Sequence, residues 1–112
     1  MVGVLTFPGV VRLKATQAGV MVGFVAADVR RHEDLAWIST LGVLPEFRRR
    51  GLGSRLLLAC EELLPVSRLR LSVRAANDPA FQMYTQHGYQ QHSVWKRYYS
   101  DGEDALVLEK TR

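Results

Sequence analysis

A loop rich in glycine and arginine constrains the fold of this chain most strongly, because it joins a strand-like segment to an amphipathic helix. The loop runs from Arg48 to Ser54 and carries Gly51 and Gly53. Glycines at this spacing let backbone N–H groups approach an anion without obstruction by Cβ, and the helix that follows contributes the positive end of its dipole. The loop therefore predicts a cradle for phosphate groups, above all for a pyrophosphate. Alone, the pattern is also compatible with an ordinary basic loop before a helix.

The length and the net charge of the chain limit how many domains it can form and which kinds of partner it can bind. With 112 residues, of which 47% are hydrophobic, the chain can bury one modest core, and we expect a single domain over residues 1–112. The net charge is +4, and clustered basic residues suit either a phosphorylated cofactor or nucleic acid. The clusters are Arg30-Arg31, Arg48-Arg49-Arg50, Arg68 with Arg70 and Arg74, and Lys96-Arg97. The aromatic residues do not interleave with these clusters as in an RNA-stacking sheet, which argues against nucleic acid.

The single cysteine and the hydropathy pattern indicate the compartment. Cys60 lies on the apolar side of the helix pattern and predicts a buried, inert thiol. One cysteine cannot form a disulfide within the chain, and no apolar run approaches membrane-spanning length. We expect a cytoplasmic protein with no membrane association and no bound metal.

Hydrophobic periodicity predicts a hairpin followed by alternating helices and strands. In chain order the predicted elements are strands at Val10–Ala15, Val20–Ala27 and Leu35–Val43, a helix from Leu52 to Leu64, a strand at Leu69–Arg74, a short helix, and strands at Tyr89–Tyr98 and Glu103–Glu109. Pro65 ends the first helix. Because that helix lies between two strands, we expect Leu35–Val43 and Leu69–Arg74 to pair in parallel. The second helix is predicted to have Asp78 as its N-cap, Pro79 at its first position and Gly88 just beyond its end.

Three motifs in this order resemble the GNAT superfamily of acetyl-CoA-dependent N-acetyltransferases. They are the Val43-x-Pro45-x-x-Arg48-x-x-Gly51-x-Gly53 loop, Asn77 with Ala80-Phe81-x-x-Tyr84-x-x-x-Gly88-Tyr89, and the tail from Tyr98 through Asp101-Gly102-Glu103-Asp104 to Leu108. The tail is similar to that of the RimI-like ribosomal-protein acetyltransferases and related protein N-terminal acetyltransferases. The resemblance covers about residues 10–110 and implies a mixed α/β fold, with acetyl-CoA as cofactor.

The resemblance also implies roles for particular residues. Tyr84 corresponds to the family's general acid toward the departing thiolate, and Tyr98 and Tyr99 correspond to positions that flank the acceptor. The backbone N–H near Val43 corresponds to the group that stabilises the thioester oxyanion. The implied cofactor-binding residues are Leu41, Val43, Arg48, Arg49, Arg50, Gly51, Leu52, Gly53, Ser54, Asn77, Phe81 and Tyr84. From the residues alone, Tyr84 is also compatible with a core aromatic, and Tyr98 and Tyr99 with ordinary strand aromatics.

The sequence departs from the RimI-like pattern where a general base is expected. Ser72 occupies the position at which that pattern has a glutamate, and Ser39 and Thr40 occupy the preceding strand where other members have a carboxylate. The remaining candidates for a base are His32, Glu33, His87 and His92, each of which is more typical of a solvated or structurally paired side chain. An α-amine, with a pKa near 8, is neutral to roughly a tenth at pH 7, whereas a lysine amine is neutral to less than about a thousandth. Missing carboxylates therefore favour an α-amine acceptor or deprotonation through an ordered water.

A second departure concerns the start of the chain. The resemblance implies a strand and two helices before the hairpin, and this chain has about nine residues in their place. Either its start is internal to a longer gene, or this is a minimal domain completed by a partner. We expect the hairpin from Val10 to Ala27 to expose a sheet edge and an apolar face, including some of Val20, Val22, Phe24 and Val25, and hence to form a homodimer or larger oligomer.

Taken together, the residues favour an N-acetyltransferase whose acceptor is a protein or peptide N-terminal amine. Three alternatives remain open. The first is acetylation of a small amine such as a polyamine or amino sugar, and the second is a CoA-binding module without catalysis. The third is a nucleic-acid binder, which the basic clusters allow and the aromatic pattern disfavours.

Overall fold

The structure, a computed structural model, describes residues 2–7, 9–48 and 51–112. Within it the chain divides into two compact units, Met1–Val66 and Ser67–Arg112. Each unit contains an antiparallel sheet and one α-helix. The parallel pairing expected between Leu35–Val43 and Leu69–Arg74 concerns strands of different units and stays a prediction.

The first unit is an antiparallel sheet with one helix against it. Its strands are β1 (Val2–Phe7), β2 (Val10–Gln17), β3 (Val20–Arg30) and β4 (Leu35–Val43), and its helix is α1 (Leu52–Leu63). Short 3₁₀ turns at Arg31–Glu33 and Pro45–Phe47 follow β3 and β4. The hairpin, the third strand and the first helix of the sequence analysis are thereby confirmed.

Strand β1 corrects the expectation that the sheet begins at the hairpin. Its backbone pairs with β2 along its whole length, from Val2 opposite Ala15 to Phe7 opposite Val10. The outer edge of this sheet is therefore β1 rather than β2. The turn between the two strands is possible because Gly9 has a φ of 80°, a conformation that glycine adopts without strain. The Val29 N–H donates to the Gly9 carbonyl at 2.7 Å and fixes that turn against β3.

Helix α1 packs against the sheet through a continuous apolar face. Its inner residues, Leu56, Leu57 and Cys60, are fully buried. Close approach to β3 depends on Gly23, since a Cβ at that position would lie 2.8 Å from Leu56 Cδ1. The prediction of an inert thiol agrees with this environment, because burial raises the pKa of Cys60 to about 11 and a thiol is a poor nucleophile.

The second unit combines a three-stranded antiparallel arrangement with a short helix. Its elements are β5 (Arg68–Arg74), α2 (Asp78–Gln86), β6 (Gln90–Trp95) and β7 (Ala105–Thr111), and β7 pairs with both β5 and β6. The first strand of the final hairpin ends at Trp95 rather than Tyr98, and the second begins at Ala105 rather than Glu103 with its predicted length, because residues 96–104 form a loop between them. This segment is called the β6–β7 loop below.

Helix α2 begins one residue earlier than predicted. Asn77, not Asp78, is the N-cap, and its side-chain Oδ1 accepts a hydrogen bond from the Ala80 N–H at 3.3 Å. Both Asn and Asp are good N-caps, so the sequence alone does not decide between neighbours. The predicted end is confirmed by Gly88, which has a φ of 94° just beyond the helix.

Candidate active site

The start of α1 has the backbone geometry of an anion cradle. Gly51 is the N-cap with a φ of 74°, and as a glycine it has no side chain with which to cap the first turn. The first bond within the helix runs from the Arg55 N–H to the Gly51 carbonyl at 3.0 Å. The N–H groups at the start of any helix have no acceptor within it, and no acidic side chain occupies this first turn. The arrangement suits a phosphate held by backbone donors and the helix dipole.

The loop before α1 is tied to the end of β4 by its own side chain. Arg48 Nε donates to the Val43 carbonyl at 3.1 Å, while the Leu44 N–H donates to the Val22 carbonyl at 2.9 Å. The Arg48 side chain thus shapes the loop, which leaves anion binding mainly to the backbone. Two of the predicted phosphate contacts, Arg49 and Arg50, lie outside the described residues. Leu52, Gly53 and Ser54 form the first turn of α1 and are half-buried.

The end of β4 keeps its pairing with β3 up to the loop. Leu41 lies opposite Val25 and Val43 opposite Gly23, and both β4 residues are half-buried. The register shifts at Ala26, where the Ser39 hydroxyl donates to the Ala26 carbonyl at 3.3 Å. A hydroxyl already donating to the backbone is poorly suited to pass a proton onward.

Tyr84 lies on the inner face of α2 and is only 7% exposed. Its ring packs edge-on against that of Tyr89, with centroids 5.7 Å apart. Burial raises the pKa of Tyr84 to about 12, so its hydroxyl keeps its proton throughout the neutral range. The residue is therefore a proton or hydrogen-bond donor and cannot act as a base at neutral pH.

The other α2 residues implied in cofactor binding lie at its start. Asn77 uses its amide oxygen for the cap, so that a ligand contact would be made through the amide nitrogen. Phe81 is half-buried one turn later, and its N–H donates to the Asn77 carbonyl at 3.0 Å.

The β6–β7 loop holds the pair of tyrosines that the resemblance links to the acceptor. Tyr98 is 56% exposed and packs between Trp95, with ring centroids 5.0 Å apart, and Tyr99, at 5.1 Å. Tyr99 is half-buried beneath the Arg74 guanidinium, whose Cζ lies 4.1 Å from its ring centroid. Tyr98 thus joins the ring at the end of β6 to the ring of Tyr99.

In the sequence, Arg74 stands out only as a member of a basic cluster, and no role at the site is predicted for it. It donates to the carboxylates of Asp101 and Glu103 in the β6–β7 loop, at 2.8 and 2.9 Å. The signal available in the sequence was an arginine at the end of an amphipathic strand together with the acidic run that follows the two tyrosines. Pairing an arginine with carboxylates about 30 positions away requires knowledge of the fold.

The candidates for a general base lie on different elements of the chain. His32 is 86% exposed, with Nε2 3.8 Å from Glu33 on the turn after β3. On β6, His92 contacts the Ser93 hydroxyl through Nδ1 at 3.3 Å and Glu109 through Nε2 at 3.4 Å. His87 is the C-cap of α2, and Ser72 is half-buried within β5.

No cluster of three or more histidine, cysteine or carboxylate side chains that could hold a metal ion occurs in 2–7, 9–48 or 51–112. Among the helices of that same part of the chain, none is long and apolar enough to cross a membrane.

The fold and the cradle define a class of protein, and comparison with known families names it. The Acetyltransferase (GNAT) family profile matches residues 7–89, and the chain belongs to this family. The resemblance deduced from the motifs is thereby confirmed, and so is the α/β fold of that family.

Within this family, the chain is similar to several named acetyltransferases. The chain is 32% identical over 114 aligned positions to the N-terminal acetyltransferase A complex catalytic subunit NAA10 of Arabidopsis thaliana, covering 96% of this chain and 59% of the relative. The ribosomal-protein-S18-alanine N-acetyltransferase of Escherichia coli has a TM-score of 0.85 at 30% identity, over 95% of this chain and 71% of that one. Arabidopsis thaliana Naa50, solved with the bisubstrate analogue CoA-Ac-MVNAL, has a TM-score of 0.83 at 26% identity, and the match covers 90% of this chain and 72% of that one. The chain spans about half the length of the curated relatives, 59% and 45% in two cases.

Proposed function

We propose that this chain transfers the acetyl group of acetyl-CoA to the N-terminal α-amine of a protein or peptide, and that residues 1–112 act as a single acetyltransferase domain. The observation that carries the proposal is the start of α1, where a glycine N-cap in the left-handed region opens the first turn to an anion. Family membership supports acetyl-CoA as the source of that anion. Relatives named as N-α-acetyltransferases support the acceptor.

In this proposal the cradle binds the pyrophosphate of CoA. The backbone N–H groups of Gly51, Leu52, Gly53 and Ser54 would donate to phosphate oxygens, with Arg48, Arg49 and Arg50 adding positive charge. Along the rest of the cofactor, Leu41, Val43, Asn77 and Phe81 would contact the pantetheine arm. The N–H near Val43 would stabilise the negative charge that develops on the carbonyl oxygen during transfer.

Tyr84 is proposed as the donor to the leaving sulfur. A neutral hydroxyl at the sulfur lowers the energy of the departing thiolate by donating a hydrogen bond and then a proton. Because the pKa of Tyr84 is about 12, above that of a thiol at about 8.5, the hydrogen bond is the larger part of its contribution. The neutral amine attacks the thioester carbonyl carbon directly, so that the C–N bond forms and the C–S bond breaks, and the proton released from the amine nitrogen passes to solvent water. Tyr98 and Tyr99 flank the amine.

The lack of a carboxylate base favours an α-amine over a lysine side chain. Ser72 stands where the RimI-like pattern has a glutamate, and the Ser39 hydroxyl donates to a backbone carbonyl. An acceptor with a pKa near 8 needs little help, since about a tenth of it is neutral at pH 7. The same observation favours the second candidate function, a CoA-binding module without turnover.

We also propose a cytoplasmic location and a homo-oligomer. Val20 and Met21 at the β2–β3 turn are 58% and 53% exposed. On the same sheet, Phe24 and Met21 line a cavity of about 460 Å³ that a second copy would cover. Of the four hairpin residues among which some were expected to be exposed, Val20 is exposed, Phe24 is half-buried, and Val22 and Val25 are buried. The proposed contact is therefore confined to the turn and this cavity.

Release of CoA thiol in the presence of an acceptor panel tests the function. The panel contains a peptide with a free α-amine, the same peptide with its α-amine blocked but a lysine free, and a polyamine. We expect thiol release with the first peptide and little with the other two. Binding of acetyl-CoA without thiol release for any acceptor would support the inactive module instead.

A further inference from the structure

We propose that Arg74 is a positioning residue that holds the β6–β7 loop in shape and so presents Tyr98 and Tyr99 to the acceptor. The proposal rests on the proposed function in one respect, namely that the acceptor binds along this loop. It assigns a role to a side chain outside the cofactor cradle and outside the tyrosine motif.

The geometry around Arg74 is that of a clamp between a strand end and a distant loop. Its Nη1 donates to Asp101 Oδ2 at 2.8 Å and to Glu103 Oε1 at 2.9 Å. The same guanidinium lies over the ring of Tyr99, with its Cζ 4.1 Å from the ring centroid. One side chain at the last position of β5 thus contacts two carboxylates and one aromatic ring of the loop. Arginine can combine planar hydrogen bonding with stacking in this way, whereas lysine cannot.

Backbone hydrogen bonds also join the β6–β7 loop to the segment that follows β5. Glu103 Oε2 accepts from the Ala76 N–H at 2.9 Å, and the Asp104 carbonyl accepts from the Ala75 N–H at 3.0 Å. Within the loop, the Glu103 N–H donates to Asp101 Oδ1 at 3.0 Å. These bonds join the segment after β5 to the loop at several points. The carboxylates therefore have structural partners, and removing Arg74 would leave two of them without their shared cation.

The other end of the loop is fixed independently of Arg74. Asp104 Oδ1 accepts from the Arg97 N–H at 2.9 Å, and Asp104 Oδ2 lies 3.4 Å from Lys96 Nζ. Within the loop, the Tyr99 N–H donates to the Glu103 carbonyl at 3.1 Å and the Gly102 N–H donates to the Tyr99 carbonyl at 2.9 Å. The loss of Arg74 should consequently loosen the attachment of this turn, and with it Tyr98 and Tyr99, to the end of β5 without releasing the base of the loop. Because Asp104 holds the base of the loop without Arg74, a loss of acceptor binding in an Arg74 variant can be distinguished from unfolding.

The clamp leaves exposed aromatic surface on an ordered loop. Tyr98 remains 56% exposed and Trp95 36% exposed, although both rings pack against each other. Exposed aromatic rings held in one place bind a partner at a smaller cost in conformational entropy than rings on a mobile loop. The ionised state of the clamp persists at neutral pH, because the Glu103 backbone N–H and the Arg74 guanidinium hold the pKa of Asp101 below its usual value.

The experiment compares three chains that all carry Trp37→Phe. One has no further change, one has Arg74→Met, and one has Arg74→Lys. Trp95 is then the one tryptophan left of the two in the sequence, and its quenching by acrylamide reports the order of the loop. We expect Arg74→Met to raise KM for an acceptor peptide by roughly tenfold or more, with KM for acetyl-CoA within about twofold. Quenching of Trp95 should rise in parallel. Arg74→Lys should recover part of the loss, since it restores charge without the planar contact.

Arg30→Met is the matched control. Arg30 also lies near two carboxylates, with Nε 3.5 Å from Asp28 and Nη1 3.8 Å from Glu33, and its side chain is 49% exposed. Both carboxylates lie in β3 or in the turn that follows it. We expect this variant to retain wild-type peptide KM and Trp95 quenching, which shows that loss of a surface arginine is not itself the cause.

Two results would overturn the proposal. One is an Arg74→Met variant with wild-type peptide KM and wild-type Trp95 quenching. The other is a variant in which both KM values rise equally together with a general loss of thermal stability, since that would make Arg74 merely structural. If the wild-type chain releases no CoA thiol, the proposed function fails. Titration of the same peptide against Trp95 fluorescence then decides whether Arg74 controls peptide binding.

Discussion

At the scale of single residues, Tyr84 shows how burial sets chemical capability. A tyrosine at 7% exposure with a pKa near 12 holds its proton over the whole range in which enzymes of this family would work. Its burial against Tyr89 also fixes the ring, since rotation would disturb the edge-on contact. A fixed, neutral hydroxyl is suited to donate to sulfur.

Tyr84→Phe should lower kcat by roughly 100-fold and leave acetyl-CoA affinity nearly unchanged, because only the donor to the leaving group is lost. Kinetics under conditions in which the chemical step limits the rate would measure this. Tyr89→Phe, which removes a hydroxyl from the adjoining ring, should keep kcat within about threefold of wild type. A Tyr84→Phe enzyme with undiminished kcat would exclude Tyr84 from the mechanism.

The pH dependence of kcat/KM follows from the pKa values of Tyr84 and of the acceptor amine. With Tyr84 protonated below about pH 11 and an α-amine acceptor of pKa near 8, kcat/KM should rise between pH 6 and 9 as the amine loses its proton. No descending limb from Tyr84 should appear in that range. A fall in rate between pH 7 and 9 would contradict this assignment.

At the scale of elements, the start of α1 carries the cofactor proposal. Gly53→Glu would place a negative side chain in the first turn, where the helix dipole and the proposed phosphates meet. Calorimetry with acetyl-CoA should show affinity reduced by at least about tenfold. Leu58→Glu adds the same charge at an exposed position of α1, 42% accessible, and should bind acetyl-CoA normally. Equal affinity in Gly53→Glu and wild type would contradict the cradle.

The helices and strands also show which element bounds can be predicted from the sequence and which cannot. The bounds of strand β4 agree with the prediction, because a mostly apolar run that follows a polar segment is a local signal. The end of α1 follows from Pro65 and the end of α2 from Gly88, which act through backbone geometry. The start of α2 was one residue wrong because Asn77 and Asp78 are both competent caps.

Longer-range features were out of reach of such signals. Strand β1 is an apolar run interrupted by Gly3, and its assignment depends on pairing with β2. The Arg74 clamp joins β5 to residues in the β6–β7 loop through side chains that read, in sequence, as solvated charges. The roles of Leu41, Asn77 and Tyr98 in binding come from family resemblance and stay proposals.

At the scale of the whole molecule, the exposed turn at Val20 and Met21 bears on assembly. Light scattering at micromolar concentration should give a mass above that of one chain. Met21→Lys should lower it, because a charge at the contact opposes burial. Leu58→Lys, at an exposed apolar site on α1, should leave the mass unchanged. A folded wild-type monomer whose melting does not depend on concentration would rule out the proposed oligomer.

The position of the acetyl group in the product tests the central claim most directly. One peptide that contains both a free α-amine and a lysine is incubated with acetyl-CoA and the chain, and the product is sequenced by mass spectrometry. The account predicts acetyl on the α-nitrogen, with the lysine unmodified at the same time point, since the α-amine alone is appreciably neutral without a base. Acetylation mainly on the lysine, or no acetylation while acetyl-CoA remains bound, would contradict it.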